Sequence, residues 1–260
     1  MRLPELPEAS GVAASRRTPG VLWAHNDFGE PVLFALAPGV GAGPRIRVTG
    51  ARMTDWEDVA VGPCPQGTCV YVADIGDNHA NRAEIQIYRM REPHPNDIVS
   101  DSVETLRATY PDGPQDAEAL FVLSDGALFI VTKGNTGPVA LYRFPLPLRT
   151  DASLRLERLA TVVPSRASGG VPRHQRVTGA SASPNGRWVA LRTREAITFY
   201  AAHELVRGMI RAVFRYDVSD LREPQGEAIA LAPGGEVWIA GEGGGKSRPG
   251  TLARLACTLP

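Results

Sequence analysis

The chain has 260 residues, and its 28 acidic side chains balance its 28 basic ones, so the net charge at neutral pH is zero. This balance excludes the basic surface typical of nucleic-acid-binding proteins, and we expect no nucleic-acid partner. No apolar run approaches the length of a membrane span, which excludes a transmembrane helix. The 27 glycines and 22 prolines, with no long amphipathic helical pattern, predict an all-β fold with many turns.

One unit recurs five times along the chain: an apolar strand, a tight turn and a second strand. In chain order the turns are TPG, PQG, SDG, PNG and PGG, which supply the positive φ that hairpin loops need. The strands after them are VLWA, VYVA, LFIV, WVAL and VWIA, whose unbroken apolar character is typical of strands covered on both faces. Third strands follow at PVLFALA, EIQIYRM, VALYRFP, AITFYAA and TLARLAC, and four units add a fourth at RIRVTG, ETLRATY, LERLATV and AVFRYDV.

A repeated four-stranded antiparallel sheet is the blade of a β-propeller. We therefore predict an all-β fold, a β-propeller of five four-stranded blades that occupies residues 1–260 as one domain. The two longer intervals between units leave room for a degenerate blade, so six blades is the alternative. The fifth unit ends before its fourth strand, and the N-terminal RLPEL is the candidate to close it, although its proline disfavours a strand.

Cys64 and Cys69 flank the PQGT turn of the second unit, where facing side chains come within disulfide distance. This spacing predicts a disulfide of the kind found in exported proteins; the alternative is a pair of reduced thiols in a cytoplasmic protein. We therefore expect an extracellular or periplasmic protein. The first residues have no signal-peptide pattern, so an export signal is expected upstream of the residues shown.

The first strand of each propeller blade lines the central channel, so the residue at its start lies at the channel mouth. Aligned on the turns, these residues are Ser10, Glu57, Glu118, Thr178 and Glu227. Three carboxylates around one axis repel each other and need a cation or raised pKa values. Carboxylates and hydroxyls together suit Ca²⁺, and no Cys or His cluster supports Zn²⁺. The alternative is structural: the glutamates accept from backbone amides or pair with Arg176, Arg192 or Arg194.

A five-bladed ring in the order Ser, Glu, Glu, hydroxyl, Glu resembles that of the calcium-activated nucleotidases, the apyrase family of secreted and Golgi nucleoside di- and triphosphate hydrolases. In that family the central calcium is held by Ser, Glu, Glu, Ser and Glu, and Thr178 stands here for the fourth serine. The resemblance, which covers these positions and the blade count, implies calcium binding and nucleotide hydrolysis. The segments EASG, DWEDVA, DIGDN, DAEAL and QGEAIA are similar to those of uncharacterised bacterial exported propeller proteins, which implies the fold and export without a reaction.

The loops between second and third strands lie on the same face as this ring, and they read HNDFG, DIGDN, TKGN, TRE and GEGGGKS. The last has the Gly-Lys-Ser of a P-loop, but Ala240 stands where that motif needs a glycine, and no helix follows. Basic groups beside Ca²⁺ suit a phosphate or carboxylate substrate. We expect the substrate-binding residues to be Asp27, Asn78, Lys133, Arg176, Arg192, Glu242 and Lys246.

Asp74 and Asp77, both in DIGDN, are the candidates for a catalytic general base, or for groups that orient water. The alternative for any of these loop residues is a solvent-exposed turn, because Asp, Asn and Gly are common in turns.

Three functions fit these patterns. The first is a calcium-dependent hydrolase of phosphate esters or nucleotides at the channel mouth. The second is a non-catalytic propeller that binds a ligand or a protein and has a structural calcium. The third is a six-bladed calcium-dependent esterase or lactonase. We expect a small-molecule ligand, phosphorylated in the first case, and a monomeric protein.

Overall fold

The computed structural model describes residues 1–39, 41–167, 169–245 and 247–256. Blade 1 contains β2 (Ala9–Ala14), β3 (Leu22–Asn26), β4 (Val32–Ala37) and β5 (Gly41–Arg47). Blade 2 contains β6 (Trp56–Cys64), β7 (Gly67–Asp74), β8 (Ile85–Arg91) and β9 (Glu104–Thr109). Blade 3 contains β10 (Ala117–Val122), β11 (Leu128–Thr132), β12 (Val139–Arg143) and β14 (Glu157–Val163).

Blade 4 contains β15 (Val177–Ala182), β16 (Trp188–Thr193), β17 (Ala196–Ala201) and β18 (Ala212–Asp217). Blade 5 contains β19 (Gln225–Leu231), β20 (Glu236–Glu242), β21 (Gly250–Ala256) and the N-terminal β1 (Arg2–Leu3). A short helix, α1 (Ala202–Leu205), follows β17, and 3-10 turns occupy Arg173–Gln175, Ser219–Leu221 and Pro233–Gly235. None of the described helices has the length and apolar character needed to span a membrane.

The five sheets are arranged as a five-bladed β-propeller, as predicted from the repeat, and the four strands of each blade are antiparallel. The six-bladed alternative is wrong. Much of the interval between the third and fourth units is used by loops and by a short strand, β13 (Ser153–Arg155), which pairs in parallel with β9 and widens blade 2 to five strands. The extra length therefore extends an existing sheet and does not form another blade.

Blade 5 is closed by the beginning of the chain, as expected for the RLPEL segment. Arg2 pairs with Thr251 and Leu3 with Gly250, so β1 adds the missing fourth strand to β21. Leu3 and Leu6 are buried, which anchors this strand by apolar packing. The proline at position 4 follows the two paired residues and does not interrupt them.

The described core consists of apolar clusters between neighbouring blades. Each cluster takes side chains from two adjacent sheets, for example Leu106 and Ile87 of blade 2 against Leu120 and Ile130 of blade 3. The same holds at the junctions between blades 3 and 4, 5 and 1, 1 and 2, and 4 and 5. This packing explains why the inner strands are apolar on both faces: each lies between two other sheets.

The predicted disulfide is present. Cys64 and Cys69 are joined at the turn between β6 and β7, with an S–S distance of 2.10 Å and Cα atoms 5.8 Å apart. A disulfide is compatible with an extracellular or periplasmic protein.

Candidate functional site

Each blade has a β-bulge at the start of its first strand. In β2 the register of the pairing with β3 shifts between Ala9 and Gly11, so Ser10 has no paired residue in β3. The corresponding slips in the other four first strands leave out Glu57, Glu118, Thr178 and Glu227. A bulge leaves one residue unpaired and re-aims its side chain. The five predicted ring residues therefore have the same structural position in all five blades, and we call them the ring.

The ring side chains are between 4% and 6% exposed, so they lie below the surface of the mouth. The Ser10 hydroxyl donates to the backbone oxygen of Glu57 over 2.8 Å and lies 3.3 Å from the Oε2 atom of that glutamate. The Thr178 hydroxyl donates to the Gly226 oxygen over 3.0 Å. The two hydroxyls thus connect the first strand of blade 1 to blade 2 and that of blade 4 to blade 5.

Lys133 brings a positive charge into the ring. It follows β11 directly, and its ammonium forms a close ion pair with the carboxylate of Glu118. Burial lowers the pKa of Lys133, but the negative charges of Glu118 and Glu57 outweigh this effect and raise the pKa above its usual value. Lys133 is therefore charged at neutral pH, and it neutralises one of the three carboxylates.

The three carboxylates of the ring are crowded. Burial raises the pKa of Glu118 to about 7, although Lys133 acts to lower it. Burial and then the charge of Glu118 raise the pKa values of Glu57 and Glu227 well above the usual range. The Oε2 atom of Glu227 is buried and has no hydrogen-bond partner among the described residues. The ring therefore has less positive charge than its carboxylates require, and protons or a bound cation would relieve the repulsion.

Asp58, which follows the ring residue Glu57, contacts the first strands of three blades. Its buried carboxylate accepts from the backbone N–H groups of Val59 and Leu120, both over 2.8 Å, and of Ala180 over 3.3 Å. These amides belong to the first strands of blades 2, 3 and 4. Asp58 therefore joins three blades on the axis, and it forms a floor under the ring.

A cavity of about 300 Å³, the mouth pocket, opens beside the ring. It is lined by Lys133, Arg173, Arg176, Thr178, Arg194, Gln225 and Glu227. Four of these side chains are cationic and one is acidic. Because Thr178 and Glu227 are ring residues, the pocket and the ring share a wall between blades 4 and 5. Guanidinium groups around a small cavity suit the oxygens of a phosphate or carboxylate.

Gln225 connects the mouth pocket to Glu242. Its amide nitrogen donates to Glu242 Oε1 over 2.7 Å, and its amide oxygen accepts from Arg194. Burial raises the pKa of Glu242 to about 7, and the charges of Asp27 and Glu8 contribute to this shift. Two predicted substrate-binding residues, Asp27 and Glu242, thus belong to an acidic group near blades 5 and 1, and Glu242 is connected to the pocket by Gln225.

The two predicted catalytic aspartates hold the DIGDN loop together. Asp74 is fully buried, accepts from the amides of Thr54 and Asp55 over 3.2 Å each, and forms an ion pair with Arg82 over 2.8 Å. Asp77 accepts from the Arg82 amide over 2.7 Å. Both carboxylates therefore have structural partners, and a catalytic role for them stays a prediction.

Sequence reasoning missed two other carboxylates close to the ring. A Cβ at position 76 would collide with both Asp55 and Glu57, so these two carboxylates share the space above Gly76. Burial and then the charge of Asp116 raise the pKa of Asp55. Asp116 Oδ2 is itself buried and has no hydrogen-bond partner in the described part of the chain. The Asp-x-Glu spacing repeated at residues 55–57 and 116–118 is the signal that could have identified both.

The remaining predicted residues lie in different environments. Arg192 is fully buried; one of its nitrogens donates to the Ala240 oxygen over 2.7 Å, and another forms a close ion pair with Glu223. It therefore joins blade 4 to blade 5, and its contact with a ligand stays a prediction. Asn78 is exposed on the loop after β7. Lys246 lies outside the described residues.

The donor chemistry of the ring fits a hard cation, but the side chains do not form a closed metal site. Within the described ranges, no three His, Cys, Asp or Glu side chains lie close enough together to hold a metal ion. The orphaned oxygen of Glu227 and the raised pKa values favour a cation. The ammonium of Lys133 already contacts one of the carboxylates that such a cation would use. Calcium binding would therefore require Lys133 to move away from Glu118.

Comparison with known proteins supports the fold. The chain matches no protein-family model, and no curated protein matches its sequence. Solved β-propeller structures are similar to it, among them the apo form of the soluble aldose sugar dehydrogenase from Escherichia coli (TM-score 0.56, 13% identity, 97% of each chain covered) and a glucose dehydrogenase (TM-score 0.55, 13% identity, 97% of each). A gluconolactonase from Xanthomonas campestris has a TM-score of 0.53 and 14% identity over 97% of this chain and 74% of its own. At these identities the likeness is one of fold.

Proposed function

We propose that this protein binds a small anionic molecule in the mouth pocket and, with Ca²⁺ held by the ring, hydrolyses a phosphate ester or nucleotide there. The observation that carries this proposal is the fivefold placement of the ring residues at β-bulges, directly beside a pocket with four cationic side chains. A purely structural channel would not need bulged carboxylates next to a cationic cavity.

In this proposal Glu57, Glu118 and Glu227 hold the cation, with the Ser10 and Thr178 hydroxyls beside them. When bound, Ca²⁺ would supply positive charge for a phosphoryl oxygen and for an attacking water. The chain's own cations complete the site: Arg173, Arg176 and Arg194 bind and orient the anion, because guanidinium groups make paired hydrogen bonds to phosphate oxygens.

The base that receives a proton from water is an acidic side chain of blade 2. Asp74 and Asp77 were predicted for this role, but both are engaged in loop contacts. Asp55 is better suited, because it lies against Glu57 and is only half-buried, so water can reach it.

A second candidate is hydrolysis of a sugar lactone at the same mouth. It is favoured by the fold likeness to the gluconolactonase of Xanthomonas campestris. The six-bladed form of this idea is excluded by the five blades, but a cationic pocket would also suit the carboxylate that lactone opening produces. The third possibility, a propeller that binds its ligand without turnover, uses the same pocket.

One screen separates these functions. Metal-stripped protein is incubated with nucleotides, simple phosphate esters and aldonolactones, with Ca²⁺ or with a chelator, while phosphate release and acid release are followed. We expect phosphate release that needs Ca²⁺, that is lost in Glu118→Gln and that persists in Glu104→Gln. Glu104 is a suitable control because it lies on β9, the outer side of blade 2, paired with Arg89.

Acid release from lactones alone would favour the second candidate. Confirmed ligand and calcium binding with no turnover of any substrate would leave a binding propeller. Phosphate release that is unaffected by the chelator or by Glu118→Gln would contradict the role of the ring.

A further inference from the structure

A second cavity, the far-face cleft, lies on the side of the propeller opposite the ring. It has a volume of about 280 Å³ and lies between the β2–β3 turn of blade 1 and the β19–β20 turn of blade 5. The ring residues lie at the starts of β2 and β19, so the turns at the other ends of these strands face away from the mouth. Its size is near the lower end of the roughly 300–1,000 Å³ of small-molecule sites.

The floor of the far-face cleft is apolar and aromatic. Trp238, Leu22, Val21, Pro19 and Pro233 line it. Trp238 is only partly buried, whereas Trp23 in blade 1 and Trp188 in blade 4 are buried. An indole face left open inside a cavity suits a planar apolar ring, which it can stack against.

One cation in the far-face cleft has no direct side-chain partner in the described part of the chain. Arg16 lines the cavity, and its guanidinium makes no hydrogen bond or ion pair with any residue that the structure describes. Burial lowers the pKa of Arg16, although the charge of Glu92 acts in the opposite direction. A guanidinium stays charged in proteins, and a partly buried charge without a partner is unfavourable. The charge of Glu92 offsets part of that cost, and an anionic ligand group in direct contact with the guanidinium would offset more of it.

Of the two acidic groups near Arg16, Glu236 is paired, whereas Glu92 has one engaged oxygen and one, Oε2, without a hydrogen-bond partner among the described residues. Glu92 is buried, and its Oε1 atom accepts from the Ser15 hydroxyl over 2.5 Å and from the Trp23 indole over 2.9 Å. Glu236, on the other rim of the cleft, pairs with Arg254 over 2.9 Å. The Ser15 oxygen also accepts from the Thr18 amide over 2.8 Å, so the turn that carries Arg16 is held in place before a ligand binds.

We propose that the far-face cleft binds a small planar carboxylate, with its apolar ring against Trp238 and its carboxylate on the guanidinium of Arg16. This site is independent of the ring, of calcium and of the function proposed for the mouth pocket. Its two contacts have different chemistry, so each can be removed separately.

The test uses 2-naphthoate and its uncharged counterpart 2-naphthalenemethanol, measured by calorimetry and by quenching of tryptophan fluorescence. Arg16→Gln is expected to weaken 2-naphthoate binding about tenfold and to leave the alcohol within about twofold, since one charge-assisted contact is lost. Arg16→Lys keeps the charge and should keep the preference for the carboxylate. Trp238→Phe should keep the binding heat but lose most of the quenching.

Two control variants test whether 2-naphthoate binds in the far-face cleft or elsewhere. Arg187→Gln removes an exposed charge from a turn on the same face of blade 4, and Arg173→Gln removes one from the mouth pocket. Neither should change the affinity for 2-naphthoate. The proposal is overturned if wild-type protein binds no 2-naphthoate, if it binds both probes equally, or if Arg173→Gln or Arg187→Gln weakens binding as much as Arg16→Gln.

Discussion

Lys133 is the residue that links the ring to the mouth pocket. Its ammonium pairs with Glu118 in the ring, and the same side chain lines the pocket beside Arg173 and Arg176. A cation that used all three ring carboxylates would compete with this ammonium for Glu118. A displaced Lys133 would remain at the pocket wall, where it could contact an anion. Cation binding and anion binding at the mouth are therefore expected to favour each other, and such coupling is reciprocal.

His25 makes folding stability depend on pH. It is fully buried, its Nδ1 donates to the Asn26 oxygen over 2.9 Å, and its Nε2 has no hydrogen-bond partner among the described residues. Burial lowers the pKa of His25 to about 4, although the carbonyl oxygens of Asn26 and Asp58 act to raise it. The unfolded chain, with a pKa near 6.5, therefore binds a proton that the folded protein does not bind between these two values.

This contribution is present in full above about pH 6.5 and is lost as the pH falls toward 4, which amounts to about 3 kcal/mol. The ring carboxylates, whose pKa values are raised, contribute equally to the wild type and to His25→Phe, so the prediction concerns the difference between the two proteins. Between pH 7 and pH 4.5 the free energy of unfolding, measured in urea, should change less favourably in the wild type than in His25→Phe by most of that amount. His79→Phe, at an exposed position, should keep the wild-type slope. Equal slopes in His25→Phe and the wild type would contradict the assignment.

At the scale of strands, sequence patterns predicted which residues form the ring, but they did not predict the β-bulges that orient these side chains. Turn residues such as Pro-Asn-Gly fix the hairpins, and alignment on those turns finds Glu57 and Glu227 because each blade repeats the same local chemistry. The β-bulges were not predictable, since nothing in the residue types at Ser10 or Thr178 requires an unpaired position. A bulge depends on how the first strands of five blades meet on the axis.

Contacts between distant parts of the chain were also outside the reach of local patterns. Arg192 was predicted to bind substrate, yet it is buried against the oxygens of Ala228 and Ala240, 36 and 48 residues away. The parallel pairing of β13 with β9 likewise joins segments that share no turn. Such contacts are decided by how the blades pack, not by local residue preferences.

Asp58 provides a prediction at the same scale, because it joins the first strands of three blades. In Asp58→Ala the N–H groups of Val59, Leu120 and Ala180 lose their acceptor in a buried place. Unsatisfied buried donors are costly, so the free energy of unfolding should fall by about 3 kcal/mol, measured by urea denaturation. Asp101→Ala, at an exposed position, should change it by less than about 0.5 kcal/mol. A similarly small effect of Asp58→Ala would show that the blades are held without it.

Acidic and basic side chains are concentrated on different sides of the channel mouth, although the molecule has no net charge. Three acidic side chains lie at blades 2 and 3: Asp55, Glu57 and Glu118. Three arginines lie at blade 4 and in the loop that precedes it: Arg173, Arg176 and Arg194. A cation and an anion can thus bind next to each other on one face. This division is the physical basis for placing a cation-assisted reaction of an anionic substrate at the mouth.

Calcium binding by the ring, as proposed, should be visible in the thermal melting of metal-stripped protein. A cation that binds only the folded state stabilises it by mass action, so saturating Ca²⁺ should raise the melting temperature by about 5 °C or more relative to chelator. Glu227→Gln should lose this rise, while Glu104→Gln should keep it. Lys133→Met, which removes the competing ammonium, should keep or enlarge it. A wild-type protein that melts at the same temperature with Ca²⁺ and with chelator would show that the ring binds no calcium.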